Sequence, residues 1–456
     1  MKMTRRTLLV GAGAGVIGVL LASCTPEPAP TPTPDRSPSP TPTGGGPAPV
    51  AFARSAWSTD PSALGAASFT PVGVQSASRD ALATSIRDRL FFAGEATDAD
   101  APGTMAGALR SGTRAAEELL AAAGAGERVA IVGAGLAGAA AASRLASTGL
   151  VLTVFESRDR IGGRVQSIVD DELWPVPAQL GGWLIGADDT DLSEQLNALD
   201  IRTGVLETPM WISAEGEVAA PSTQPIADAI TAAQALPADI SLAQALADAG
   251  ADPAEPGLAA LLAYVAASAG PDADQASSWF PPMLPPDART AVLGDLGAVL
   301  AQLVDGVKVS LSSAVSRVAY DDAGVSLGIA TGESLSFDRV IITVPLGVLQ
   351  SDGIEFAPKL PFAQRGAIAE LGMGFIETVW LRFDEPLIDT EATIWHAVGG
   401  DQKIRTWFNL APVTGDAIMV GIVGGADAAE FAALDDAAAR AAAMAALATF
   451  MQPAAA

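Results

Sequence analysis

Three glycines in the middle of this chain, Gly133, Gly135 and Gly138, stand in the pattern Gly-x-Gly-x-x-Gly directly after the apolar run Arg128-Val-Ala-Ile-Val132. The chemistry open to such a turn is the holding of a pyrophosphate. The first glycine permits the turn, the second lets backbone approach phosphate oxygens, and the third lets the next helix pack closely on the strand. A second apolar run, Val151-Leu-Thr-Val-Phe155, ends at Glu156, 18 residues beyond Gly138. An acid at that distance accepts hydrogen bonds from adenosine ribose hydroxyls. Past it, Ser157-Arg158-Asp159-Arg160-Ile161-Gly162-Gly163-Arg164 sets guanidiniums around another glycine turn, and guanidiniums make forked contacts to phosphate. The whole set points to a bound dinucleotide. By contrast, Gly11-Ala-Gly13-Ala-Gly15 repeats the glycine spacing with no strand before it and no acid after it, and reads as filler of an export signal.

Other chemistries find little support. His396 is the only histidine and Cys24 the only cysteine, so the chain offers no metal cluster and no Ser-His-Asp triad. The 26 basic and 52 acidic residues give a formal charge of −26, which repels a phosphate backbone and excludes nucleic acid as a partner.

The elements that must position the glycine turn are strand, turn and helix, with helical pattern from Ala139 to Ser147. Upstream, residues 90–121 read as an apolar strand, an acidic Gly94-Glu95 turn and a long amphipathic helix. Downstream, Ala314 to Tyr320 and Arg339 to Leu349 have the character of buried strands. Between Arg202 and Val292 the pattern is helical, with Ala/Leu helices expected at Ser241 to Ala249 and Ala259 to Ala267. Trp279, Phe280 and Met283 could line a pocket there, although apolar residues at such spacing are core more often than not.

These motifs resemble those of the flavin amine oxidases. Glu156 followed by Gly162-Gly163-Arg164 is similar to that family's first FAD motif, and Leu180-Gly181-Gly182-Trp183-Leu184-Ile185-Gly186 to its next flavin-contacting segment. Residues 90–121, LFFAGEATDADAPGTMAGALRSGTRAAEELLA, resemble the segment that ends family members, and Trp57-Ser-Thr-Asp60-Pro61-Ser-Ala-Leu-Gly65-Ala-Ala-Ser68 the stretch just before it. The resemblance implies cofactor contacts from Gly133, Gly135, Gly138, Glu156, Arg158, Gly163 and Arg164. It also implies them from Gly181, Gly182, Trp183, Val315, Gly94, Glu95, Thr104 and Met105. The cofactor implied is FAD, held non-covalently because no cysteine or histidine is placed to tether it. The family's last motif comes first here, so the resemblance also implies a circular permutation, joined through Ala122-Ala-Gly-Ala-Gly-Glu127.

The fold expected is therefore α/β: a two-domain arrangement with a Rossmann-like FAD-binding part and a mixed-sheet and helical substrate domain. Residues 50–121 are the permuted C-terminal part, 127–200 the dinucleotide segment, and 293–350 a further FAD-binding segment. Residues 201–292 and 351–456 belong mainly to the substrate domain. The function implied is oxidation of a small-molecule amine at a CH–NH bond by hydride transfer to flavin, with dioxygen or another acceptor taking the electrons. Two alternatives stand beside it: an FAD-dependent desaturase or dehydrogenase of an apolar substrate, and a non-catalytic FAD-binding surface lipoprotein. They stand because the residues depart from the family at the reactive face. The lysine that the family commonly places after a Gly-Met-Gly-like turn is Thr378 in Gly372-Met-Gly374-Phe-Ile-Glu-Thr378, and Ala67 and Thr104 stand where aromatic residues are frequent. Thr378 and Trp57 are the candidates for the reactive face.

The N-terminus carries its own signal. Thr4-Arg5-Arg6 precedes a short apolar run that ends in Leu21-Ala22-Ser23-Cys24, so residues 1–24 read as a twin-arginine lipoprotein signal with Cys24 the lipidated residue. The Pro/Thr/Ser-rich residues 25–49 form a linker that holds the rest off a membrane at the cell surface or on the periplasmic side.

Overall fold

The computed structural model describes residues 47–186, 189–286 and 288–451. The signal, Cys24 and the linker as far as residue 46 lie outside the described residues.

Uninterrupted apolar runs become strands of a parallel sheet, because such a sheet is covered on both faces. Arg128–Val132 is buried at every position after Arg128. It lies between Val151–Phe155 and Arg339–Ile342, and Lys308–Ser310 and Leu90–Phe92 complete the sheet outside them, all five strands parallel. One face is covered by two helices. Leu136–Leu145 is almost wholly buried, and Met105–Ala122 packs Ala115, Ala116 and Leu119 into the same core as Ala137, Ala141 and Leu145. The small side chains let the two helices sit close to each other and to the strands. On the other face lies a four-stranded sheet, ordered Ser334–Phe337, Val325–Ile329, Val315–Tyr320, Glu355–Ala357.

A seven-stranded mixed sheet forms the second layer system, ordered Ala51–Arg54, Ile376–Arg382, Ile418–Gly424, Thr406–Asn409, Ile394–Ala397, Pro209–Ser213, Gly216–Val218. Trp380, Trp183, Trp174 and Phe408 fill one face of it with edge-to-face ring contacts. Helices Leu242–Asp248 and Pro256–Ala269 occur where the sequence predicts them. Ser241 Oγ caps the first by accepting from the Gln244 N–H, and the Glu255 carboxylate caps the second ahead of Pro256. The early part of the chain thus contributes an edge strand to each large sheet: Leu90–Phe92 to one and Ala51–Arg54 to the other.

The lone histidine sits in this second sheet. His396 is 3% exposed, stacks on Trp211 with ring centroids 4.0 Å apart, and shares a hydrogen bond of 3.1 Å with the Thr406 hydroxyl through Nδ1. Burial pulls its pKa from 6.5 down to about 3. The imidazole is therefore neutral in the folded protein, while the unfolded chain takes up a proton below pH 6.5. Stability is complete above the unfolded value and is lost as pH falls toward the folded one. Between pH 7 and pH 5 this one residue should cost about 2 kcal/mol. Urea unfolding at the two pH values, in the natural protein and in His396→Gln, measures it. An equal pH dependence in both proteins would refute the assignment.

Candidate cofactor and active site

The glycine turn opens at the C-terminal end of the parallel sheet. Gly135 precedes the helix Leu136–Leu145 with no side chain capping it, and Leu136 and Ala137 lie on the wall of a cleft. First-turn N–H groups left in this way favour an anion. The third glycine is required by contact: a Cβ on Gly138 would stand 1.9 Å from the Gly133 carbonyl oxygen. Glu156 is 4% exposed beside the turn. Its Oε2 accepts the Ala134 N–H at 2.8 Å, and its Oε1 accepts the Arg158 N–H at 2.9 Å and the Ser157 hydroxyl at 3.1 Å. Strand residue Val315 lies on the same cleft wall.

More of the cleft lining comes from the early segment. Gly94, Glu95, Thr104 and Met105 line the cleft together with Gly133, Gly135, Gly163 and Arg164. Thr104 starts the long helix, since its Oγ1 accepts the Gly107 N–H at 3.0 Å. Glu95 is 5% exposed. It accepts from Arg164 Nη1 at 2.9 Å, the Ser68 hydroxyl at 2.6 Å and the Gly103 N–H at 2.8 Å, while Arg79 donates to Ser68 Oγ at 2.8 Å. Burial opposes ionisation of Glu95, but Arg164, Ser68 and Arg79 together outweigh it and hold the carboxyl below its ordinary range. A carboxylate kept charged here fixes Arg164, whose Nη1 also donates to the Ala66 carbonyl at 2.6 Å.

Thr378 and Trp57, each 5% exposed, converge on one carbonyl oxygen. The Thr378 hydroxyl donates to the Leu180 carbonyl at 3.0 Å, and Trp57 Nε1 donates to the same oxygen at 2.7 Å. That carbonyl immediately precedes Gly181 and Gly182. Gly181 is pressed so close to the neighbouring loop that a Cβ there would stand 1.6 Å from the Arg164 carbonyl oxygen, and Gly182 lies on the cleft wall beside Met105. The two residues thus hold the Gly181-Gly182 wall from behind. Trp183 packs between Trp380 and Phe408. Trp279, Phe280 and Met283 are not on the cleft wall, and Met283 is 77% exposed.

Sequence reasoning passed over Glu377, which has no exposed surface. It accepts from the Ser55 hydroxyl at 2.5 Å, the Trp57 N–H at 3.0 Å, and the Ser58 N–H and hydroxyl at 2.8 and 2.7 Å. Burial raises its pKa even so. The one signal in the sequence was an acid amid the mostly apolar strand Ile376–Arg382. It also passed over Asp60, whose Oδ2 takes Arg158 Nη2 at 2.8 Å.

The cleft suits FAD on its own geometry. Uncapped helix N–H groups and an acid with backbone-oriented oxygens border it, while a Cβ on Gly94 would meet nothing within 4 Å. When bound, FAD would supply the redox chemistry, and the protein supplies position and electrostatics.

The comparisons agree. The family described as flavin containing amine oxidoreductase matches residues 43–120 and 258–456, and an NAD(P)-binding Rossmann-like domain matches residues 131–196. The chain is 27% identical to polyamine oxidase 4 of Oryza sativa subsp. japonica over 346 residues, 68% of this chain and 69% of that protein. It is 32% identical to lysine-specific histone demethylase 1 homolog 2 of the same plant over 139 residues, 30% of this chain and only 18% of that protein. Among solved structures, a putrescine oxidase double mutant shares the fold with a TM-score of 0.58 at 21% identity, over 72% of this chain and 82% of that one. The cyclohexylamine oxidase from Brevibacterium oxydans IH-35A does so at 0.53 and 21%, over 72% and 83%. With a Rossmann-type sheet, a cleft shaped for a dinucleotide and a family match across most of its length, this chain belongs to the flavin containing amine oxidoreductases and is an FAD-dependent oxidoreductase.

Proposed function

We propose that the protein oxidises a small-molecule amine at its CH–NH bond by hydride transfer to non-covalently held FAD. The observation that carries this is the shared cleft, in which Gly94, Glu95, Thr104 and Met105 face the glycine turn 133–138 and Arg164. In this reading Glu156 takes the adenosine ribose and the Leu136–Leu145 helix start takes the pyrophosphate. Glu95 and Arg164 position the ribityl and flavin end. Trp57 and Thr378 set the reactive wall through Leu180, and no lysine stands there. The order of the parts is a circular permutation, with helix Met105–Ala122 joined to strand Arg128–Val132 across a short Ala/Gly stretch. The protein is exported by the twin-arginine route and anchored through lipidated Cys24, so Cys24→Ala should move it from the membrane to the soluble fraction.

Anaerobic titration with putrescine, longer polyamines and simple primary amines tests the activity. One of them should bleach the flavin absorbance and yield an imine-derived carbonyl product, and mild acid should then release FAD from the precipitated protein. A chain with residues 50–121 moved behind residue 456 should behave alike. An alkene product from an apolar substrate would support a desaturase instead, and bleaching by none of these classes a binding protein.

A further inference from the structure

Segment 57–65 brings a carboxylate from outside the dinucleotide fingerprint against Arg158 on the cleft wall. Asp60 Oδ2 takes Arg158 Nη2 at 2.8 Å, with the two side chains 25% and 14% exposed. The other end of that guanidinium, Nη1, stops 3.8 Å from Glu156 Oε1. Ser157 Oγ and Ser62 Oγ lie within hydrogen-bond distance at 3.0 Å, and Pro61 and Ser62 share the cleft wall with Glu156, Ser157 and Arg158. The segment is tied down at its start by the contacts of Trp57 and Ser58 with Glu377, so Asp60 is held in place and is not a free surface acid.

We propose that Asp60 is a positioning residue that sets the nucleotide specificity of the site. It draws the Arg158 guanidinium off the Glu156 carboxylate and cancels its charge. Glu156 Oε1 already accepts two donors, the Arg158 N–H and the Ser157 hydroxyl. Oε2 already holds the Ala134 N–H, so one lone pair is left; a guanidinium closing from 3.8 Å would take it, and a ribose diol would find no acceptor. A guanidinium released from Asp60 is also the group that accommodates a 2′-phosphate on the ribose. Asp60 therefore favours the unmodified adenosine ribose of FAD in two ways: it keeps the acceptor open and it withholds the cation that a 2′-phosphate needs.

The inference rests on the assignment of Glu156 to the ribose, and the experiment separates the two. FAD is displaced from the flavin-loaded full chain by AMP or by adenosine 2′,5′-bisphosphate, and the freed flavin is read by its fluorescence. In the natural protein AMP should displace at the lower concentration. Asp60→Asn should shift the ratio of the two half-displacement concentrations by about tenfold toward the bisphosphate, one charge-assisted hydrogen bond's worth. Asp60→Glu should restore the original preference, and in an Arg158→Met background Asp60→Asn should have no effect. An unchanged ratio in Asp60→Asn, with Glu156→Gln weakening AMP, overturns the role of Asp60 alone. If Glu156→Gln leaves AMP displacement unaltered, the ribose assignment falls and the inference with it.

Discussion

Gly138→Ala should leave the purified protein nearly free of flavin. The added methyl would sit 1.9 Å from the Gly133 carbonyl oxygen and 3.0 Å from the Thr343 hydroxyl. That hydroxyl donates to the Val132 and Gly133 carbonyls at 2.9 and 3.1 Å, so it cannot yield without losing both bonds. The helix must instead move off the strand, carrying its uncapped N–H groups with it. Overpacking of this kind costs about 1–3 kcal/mol in folding. The loss in binding should be larger, because the anion site depends on the position of the helix start. Gly135→Ala is the contrasting variant. A Cβ there lies 3.9 Å from its nearest neighbours and its φ is −75°, so the fold should tolerate it. The methyl would nevertheless stand at the start of the helix, on the cleft wall, and should weaken FAD binding with little change in Tm. Flavin content and thermal unfolding of the two variants check this. Retention of FAD by Gly138→Ala would show that the turn does not hold the cofactor.

A second large effect is expected from Arg339→Ala, at about 3 kcal/mol of stability, because it removes charged hydrogen bonds from a buried guanidinium to two carbonyls and a partly exposed carboxylate. Arg339 is 6% exposed at the start of its strand. Its Nε donates to Glu127 at 2.6 Å, its Nη2 to the Ala122 carbonyl at 2.5 Å, and its Nη1 to the Asp88 carbonyl. One side chain thereby gathers the end of helix Met105–Ala122, the joint leading into Arg128–Val132 and the turn before Leu90–Phe92. The hydrogen bond from Arg339 holds the Glu127 carboxyl below its ordinary value, so the pair is ionised at neutral pH. Chemical denaturation of Arg339→Ala, Glu127→Gln and the double variant gives the coupling. The double variant should be less destabilised than the sum of the two singles. Additive effects would mean that Arg339 acts through the two carbonyls and not through Glu127.

What the sequence determined by itself was the local chemistry that repeats in any protein with these motifs. Val129 to Val132 are apolar on both faces and so demand a covered parallel strand. The spacing of Gly133, Gly135 and Gly138 demands a tight turn into a helix, and Glu156 follows at the end of the next strand. Ser241 and Pro256 mark helix starts by capping chemistry that acts within four residues. The family resemblance added Glu95, Thr104 and Arg164, each of which lines the cleft together with the turn.

Tertiary structure alone decided what depends on pairs far apart in the chain. Glu377 and Ser55 are 322 residues apart, Asp60 and Arg158 are 98, and Arg339 and Glu127 are 212. Apart from Arg158 in its glycine loop and Glu377 amid a mostly apolar strand, nothing in the local pattern marks these residues, because a carboxylate in a strand or loop reads as solvated until the packing removes its water. Once it is buried, the cost of its charge must be met by donors delivered from elsewhere, and only the folded backbone can deliver them. The same holds for Thr378 and Trp57. The family resemblance suggested a place at the reactive face for both, but the shared Leu180 carbonyl that sets where they stand exists only when strand Ile376–Arg382, segment 55–66 and the Gly181-Gly182 loop come together.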